Sequence, residues 1–337
     1  MTGLPRMNRR SLVLRALFLK ATAMAFAGLA FTAAPAAALE KVIFLLAAPA
    51  ELPAFSPLLL ARHLGYYKDA GFDVQFQTAR GGLDIAKQVG AGNAPFGLSL
   101  GDAPIVVRGN GIPIKIVAMM GGGALGVLVA RTDRGISKIE DLRGKKISVM
   151  SYQEANFYAT LGALASRGIG KDDADIQAVG PSGVIGLVIA GAADACICTP
   201  DWEINVQDGI GKTFAMPLKD YIPTTAQAIV ASDEMVAKRP EFVRAVVQAS
   251  LRGLKYVMDD PDRAAKTYVE AVPTFEGKED LIKRIFRNYI ERTYKGQKVL
   301  GETDPAVLAA MQKLYISLGV VNAEAPVDTF YTNAFVK

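Results

Sequence analysis

Three stretches of this sequence have residue types and spacings that could carry covalent or cofactor chemistry. Gly97-Leu98-Ser99-Leu100-Gly101 fits G-x-S-x-G, the sharp strand-to-helix turn that raises a hydrolase serine toward its substrate. Such a serine needs a histidine downstream of it to take its proton, and the only histidine, His63, lies upstream. The pattern reads better as a small turn at a strand end. Gly121-Gly122-Gly123-Ala124-Leu125-Gly126 fits G-x-G-x-x-G, but that motif holds a pyrophosphate only where its last glycine opens a helix. Here Val127-Leu128-Val129 continues as strand, which makes the glycines a hinge. Cys196 and Cys198 would share one face of a strand, where a bridge between them is strained and two ligands cannot close a zinc site. They read as small buried apolar side chains, and no cofactor or metal is expected.

Non-covalent capture is a better match to the strand-to-helix junctions. In open parallel sheets a ligand settles beyond the carboxyl ends of the strands, where helix N-termini expose unpaired N–H groups. Phe55-Ser56-Pro57 opens one helix, Arg80-Gly81 ends a strand, and Gly101-Asp102 opens another helix. Ser151-Tyr152-Gln153-Glu154 has the form of a capping box, while Ser182-Gly183 and Thr199-Pro200-Asp201-Trp202 open two more helices. Phe55, Ser56, Arg80, Gly81, Gly101, Asp102, Ser151, Tyr152, Gln153, Ser182, Thr199, Asp201 and Trp202 are therefore the candidate ligand contacts. Any one hydroxyl here could serve only as a cap, worth about 1 kcal/mol. Tyr152 and Trp202 offer an aromatic wall. Helix N-termini and Arg80 would suit an anion, whereas Glu51, Asp102, Glu154 and Asp201 would oppose one, so the charge of the solute stays open.

The elements that must hold these junctions alternate in type. Strands are predicted at 42–47, 73–78, 95–100 and 114–120, with helices at 57–70, 83–91 and 103–109 between them. The pattern restarts with strands at 146–151, 175–179, 193–198 and 213–217 and helices at 154–168, 183–190 and 201–209. Alternation of this kind implies βαβ units and mainly parallel sheets. Shifting the first half by 99 positions lays Gly81 on Gly180, Ala91-Gly92 on Ala190-Gly191, Ala94 on Ala193 and Asp102 on Asp201. Two apolar segments, 127–130 and 226–231, flank the second set, so the chain leaves lobe one, builds lobe two and returns. The expected divisions are 1–38 for an export signal, 39–125 and 226–337 for lobe one with its C-terminal helices, and 126–225 for lobe two. Helices at 241–259, 262–272, 280–293 and 305–318 should pack on lobe one.

Composition narrows the class. Residues 1–38 carry Arg6, Arg9, Arg10, Arg15 and Lys20 with no acid, then an uncharged Ala- and Gly-rich run to Ala36-Ala37-Ala38. That is the layout of an export signal cleaved near Ala38, too weakly apolar for the roughly 20-residue span a membrane helix needs. Asn8-Arg9-Arg10-Ser11-Leu12-Val13 is close to a twin-arginine motif, so both export routes are open, and the lack of a nearby Cys excludes a lipid anchor there. All five excess positive charges sit in this leader. The remainder is neutral, which excludes nucleic acid as a partner. A hydrophobic share of 51% over the remaining length is enough for two packed cores.

Ile136-Ser137-Lys138-Ile139-Glu140-Asp141-Leu142-Arg143-Gly144-Lys145-Lys146-Ile147 resembles the I-x-x-x-x-D-L-x-G-K-K segment leading into lobe two of one periplasmic binding protein group. That group serves nitrate, sulfonate, taurine and thiamine-pyrimidine-precursor importers. Gly65-Tyr66-Tyr67 through Phe72-Asp73-Val74 is similar to its G-Y-F-x-x-x-G-L-x-V segment, and Gly111-Ile112-Pro113-Ile114-Lys115 to its G-x-P-I-K. Further likenesses run through 190–195, 240–243 and 326–330, so the resemblance spans most of residues 40–337. It implies the type II periplasmic binding fold: two α/β lobes joined by two crossing strands, closing over a small organic solute in the cleft. It also implies a monomeric solute receptor in the periplasm that docks on an ABC permease of the inner membrane and performs no catalysis. The related eukaryotic pyrimidine synthase uses this fold as an enzyme through a cysteine- and histidine-rich pattern absent here. The alternative is a secreted serine hydrolase using Ser99.

Overall fold

The computed structural model describes residues 2, 3 and 38–337, so the export signal expected over 1–38 lies almost wholly outside the described residues. Ten strands form two five-stranded sheets. Sheet one holds β1 (Glu40–Leu46), β2 (Phe72–Thr78), β3 (Phe96–Leu100), β4 (Ile114–Met119) and β10 (Gln227–Ser232) in the order β2-β1-β3-β10-β4. Sheet two holds β5 (Val127–Arg131), β6 (Lys146–Val149), β7 (Asp175–Ala178), β8 (Ala195–Cys198) and β9 (Thr213–Pro217) in the order β7-β6-β8-β5-β9. The two orders are the same once the second set is renumbered, so the 99-residue repeat is one of topology as well as of residues.

Each crossing segment becomes an inner strand of its destination sheet. β5 runs antiparallel between β8 and β9, and β10 runs antiparallel between β3 and β4, in otherwise parallel sheets. A strand covered on both faces can be apolar throughout, and Val127-Leu128-Val129-Ala130 and Ala228-Ile229-Val230-Ala231 are all buried. Among the described residues no helix is long and apolar enough to cross a membrane.

Among the described residues twelve helices cover the sheets: α1 (Ser56–His63), α2 (Tyr66–Asp69), α3 (Gly82–Gly90), α4 (Ala103–Arg108), α5 (Ala155–Ala165), α6 (Gly180–Ile189), α7 (Pro200–Ile210), α8 (Asp233–Lys238), α9 (Pro240–Asp259), α10 (Pro261–Ala271), α11 (Glu279–Tyr289) and α12 (Pro305–Ser317). The single helix expected over 57–70 is two, because Gly65 takes a left-handed φ of 79° that an L side chain avoids. Phe44, Phe96 and Phe242 stack in the lobe-one core beneath α1 and α9.

Two expectations about the connections change. The glycines at 121–123 lie against residues 292–297: a Cβ would come within 2.1 Å of Thr293 O at Gly121, within 2.6 Å of Gly296 C at Gly122 and within 2.1 Å of Arg292 O at Gly123. Close backbone approach, beyond any freedom to bend, is what demands glycine there. The C-terminal helices also do not serve lobe one alone. Ile282, Ile285 and Phe286 of α11 are buried in the lobe-one core, while its other face meets α7 of lobe two.

Candidate functional site

Between the sheets lies a cavity of about 610 Å³, open solvent at its mouth included. Its walls are the carboxyl ends of strands and the first turns of helices. Lobe one gives Ala47 and Ala48 after β1, Leu52, Ala54 and Phe55 ahead of α1, Gly82 of α3, and Leu98–Leu100 of β3. Lobe two gives Met150 after β6, Glu154–Asn156 at the start of α5, and Thr199, Asp201 and Trp202 at the start of α7. Leu125 and Gln227, beside the two crossing strands, complete the lining. No Lys, Arg or His lines the cavity.

The expected contacts divide by position. Phe55, Thr199, Asp201 and Trp202 line the cavity. Ser56 is buried behind Phe55, its Oγ without a hydrogen-bond partner. Arg80 is turned to solvent: its backbone N–H donates to Asp84 Oδ2 at 3.0 Å, and its guanidinium, on a side chain 81% exposed, stands 3.5 Å from the same carboxylate. Gly101 and Asp102 sit below the cavity in lobe one, where Tyr315 donates its hydroxyl to the Asp102 carboxylate and Thr225 accepts from the Gly101 N–H. Tyr152 lies outside, half exposed, donating to Ile176 O at 3.0 Å and standing edge-on to Phe157. Ser182 is exposed on the first turn of α6. The capping box at 151–154 does not form, since α5 starts at Ala155 and Ser151 Oγ accepts instead from the Gln153 N–H.

Gly81 and Gln153 meet across the mouth. The Leu83 N–H of lobe one donates to Gln153 O of lobe two at 3.3 Å, and a Cβ on Gly81 would lie 3.2 Å from that oxygen. On the opposite side the lobes are joined by a polar seam between α7 and α11. Tyr289 donates to Asp201 Oδ1 at 2.7 Å, Asn288 to Pro200 O at 2.8 Å, and Arg292 to Glu203 Oε1 at 2.5 Å.

Pattern reading placed Glu154 among the acids that would oppose an anion without counting it as a contact, and it missed Asn156 and the apolar lining of Leu98, Leu100, Leu125 and Met150. The signal for Leu100 and Met150 was available, because each stands at the end of a predicted strand. Glu154 was visible in the pattern only as an acid near a strand end. The Asn156 amide donates to its Oε1 at 3.2 Å, and burial, outweighing that bond, pushes its carboxyl up to about 7. Burial also raises the Asp201 carboxyl against the bonds from Thr199 and Tyr289. Ser99 is on the wall, but its hydroxyl donates to Gly82 O at 3.0 Å, and His63 is exposed at the far end of α1.

Residues 52–264 match the family described as NMT1/THI5 like. The riboflavin-binding protein RibY of Chloroflexus aurantiacus is 24% identical over 288 residues, which cover 84% of this chain and 82% of that protein. The 4-amino-5-hydroxymethyl-2-methylpyrimidine phosphate synthase THI13 of Saccharomyces cerevisiae is 25% identical over 249 residues, 69% of this chain and 72% of that one. Among solved structures, the alkanesulfonate-binding protein SsuA of Xanthomonas axonopodis pv. citri, bound to MOPS, superposes with a TM-score of 0.70 at 16% identity, over 88% of this chain and 99% of that one. With well over half of its length matched, and with its two sheets in the periplasmic binding protein arrangement, the chain belongs to the NMT1/THI5-like family.

Proposed function

We propose that this chain is the solute-binding component of an ABC importer, exported to the periplasm, where as a monomer it closes two lobes over a small organic molecule and presents it to a membrane permease. The observation that carries this reading is the cavity between the lobes, lined by strand ends and helix starts from both. Of the solutes the resemblance suggested, a flat ring fits the wall better than nitrate or a sulfonate. Trp202 and Phe55 offer aromatic surface, the carboxyls of Glu154 and Asp201 oppose an anion, and no basic side chain is present to receive one. The relatives named for riboflavin and for a pyrimidine agree with a ring.

Binding without turnover is the second part of the proposal. It is supported by Ser99, whose hydroxyl is committed to a backbone carbonyl with no histidine beside it. Mass spectrometry of the molecule that co-purifies with the native protein, followed by calorimetry with it, tests both parts. A ring-bearing solute is expected, and Trp202→Ala should weaken it by about 1–3 kcal/mol, roughly 5- to 150-fold in Kd. Equal affinity in the variant, or Ser99-dependent conversion of the solute, would overturn the reading.

A further inference from the structure

The polar groups on the cavity wall are mostly spent on the protein itself. The Ser99 hydroxyl goes to Gly82 O, the Thr199 hydroxyl to Asp201, and Asp201 Oδ1 also takes the Tyr289 hydroxyl. The Asn156 amide N–H goes to Glu154 Oε1, while Asn156 Oδ1 is packed against Gly126, where a Cβ would come within 2.9 Å of it. Two buried oxygens of the wall have no hydrogen-bond partner, Asn156 Oδ1 and Glu154 Oε2, and of the two only Glu154 can carry a charge.

An ionised carboxylate buried without a counter-charge is costly, and the groups around Glu154 supply none. Asp201 on α7 shares the cavity and is itself an acid. Arg80, ahead of α3, is directed to solvent and paired with Asp84. A buried acid in that position either takes up a proton or is held ionised by a positive group, and a cationic solute would supply that group.

We propose that Glu154 selects the solute, its free carboxylate oxygen receiving a protonated, amidine-like nitrogen carried on a flat ring; this rests on the ring-binding reading above. Asn156 holds the other oxygen and so fixes the direction in which the free one points. Because burial brings the carboxyl up to about 7, the preference depends on pH. A cation binds the ionised form, which is nearly complete at pH 8 and about a tenth of the population at pH 6, so affinity should fall about tenfold between them.

Benzamidine, benzamide and benzoate share one ring and differ in charge, and they serve as probes by calorimetry on the purified protein. At pH 8 benzamidine should bind at least tenfold tighter than benzoate, with benzamide between, and only benzamidine should weaken about tenfold at pH 6. Glu154→Gln keeps the acceptor for Asn156 and should remove both the preference and the pH dependence, with a melting temperature no lower than the parent's. Preference for benzoate, equal affinities, or a preference that survives Glu154→Gln would overturn the role of Glu154 alone. Binding of none of the three would overturn the ring-binding reading itself.

Discussion

Asp102 and Asp201 stand 99 residues apart at equivalent places, each just past the third strand of its sheet, and their fates differ. Both are 1% exposed, and each accepts a tyrosine hydroxyl from a C-terminal helix, Tyr315 of α12 for Asp102 and Tyr289 of α11 for Asp201. The Asp102 bond is internal to lobe one, where α12 packs on α4 and on residues of both β4 and β10. The Asp201 bond joins two lobes, since α11 has its apolar face in the lobe-one core and Asp201 lines the cavity. A strand-turn-helix unit that recurs in both sheets thus places the same buried acid twice. The C-terminal helices that follow decide which aspartate becomes an internal pin and which becomes part of the site wall.

The seam around Asp201 can be broken most directly at Arg292, whose partner Glu203 has a side chain only 2% exposed. Arg292→Ala should cost about 3–5 kcal/mol in denaturant unfolding, because it strands a buried carboxylate. A cost under about 1 kcal/mol would mean that the seam is not what holds α7 to α11.

Asp102 offers the next largest effect, one that depends on pH. Burial outweighs the Tyr315 hydrogen bond and raises its carboxyl from 3.8 to about 6. An acid whose folded value is raised is a cost to the folded state above that value, and the cost disappears as pH falls below the unfolded one. Asp102→Asn should therefore be more stable than the parent by up to about 3 kcal/mol at pH 8, with no difference near pH 4. Melting curves at the two pH values check this, and a pH-independent difference would contradict the internal pin.

The smallest effects sharpen the contrast. Tyr289→Phe and Tyr315→Phe each delete one hydroxyl donor and should each cost about 1–2 kcal/mol of stability. Only Tyr289→Phe should also change solute affinity, measured by calorimetry. Equal changes in affinity would erase the distinction between the two aspartates.

The strands were legible because apolar runs ended by turn residues leave little choice, and the ends of β1, β3, β4 and β9 lie within two residues of their expected places. The crossing strands were legible for the same reason, and so was Trp202. What failed was anything decided by residues distant in the chain. Ser151 and Glu154 fit a capping pattern that considers four residues, yet the helix starts later and Glu154 lines the cavity. Arg80 was read as a ligand cation because the pattern did not weigh Asp84, four positions on, which takes it. No local pattern could show that Tyr289, 88 residues away, would reach Asp201, or that residues 292–297 would press on three glycines.

The mouth has a kinetic consequence. One backbone hydrogen bond, Leu83 N–H to Gln153 O at 3.3 Å, spans it, and such a bond contributes about 0.5–1.5 kcal/mol net. Breaking it slows escape by no more than about tenfold, so the dwell time of a captured molecule is governed by what that molecule touches inside. A poorly fitting solute would leave in the time that one bond takes to break, while a well-fitted one would be held by its own contacts.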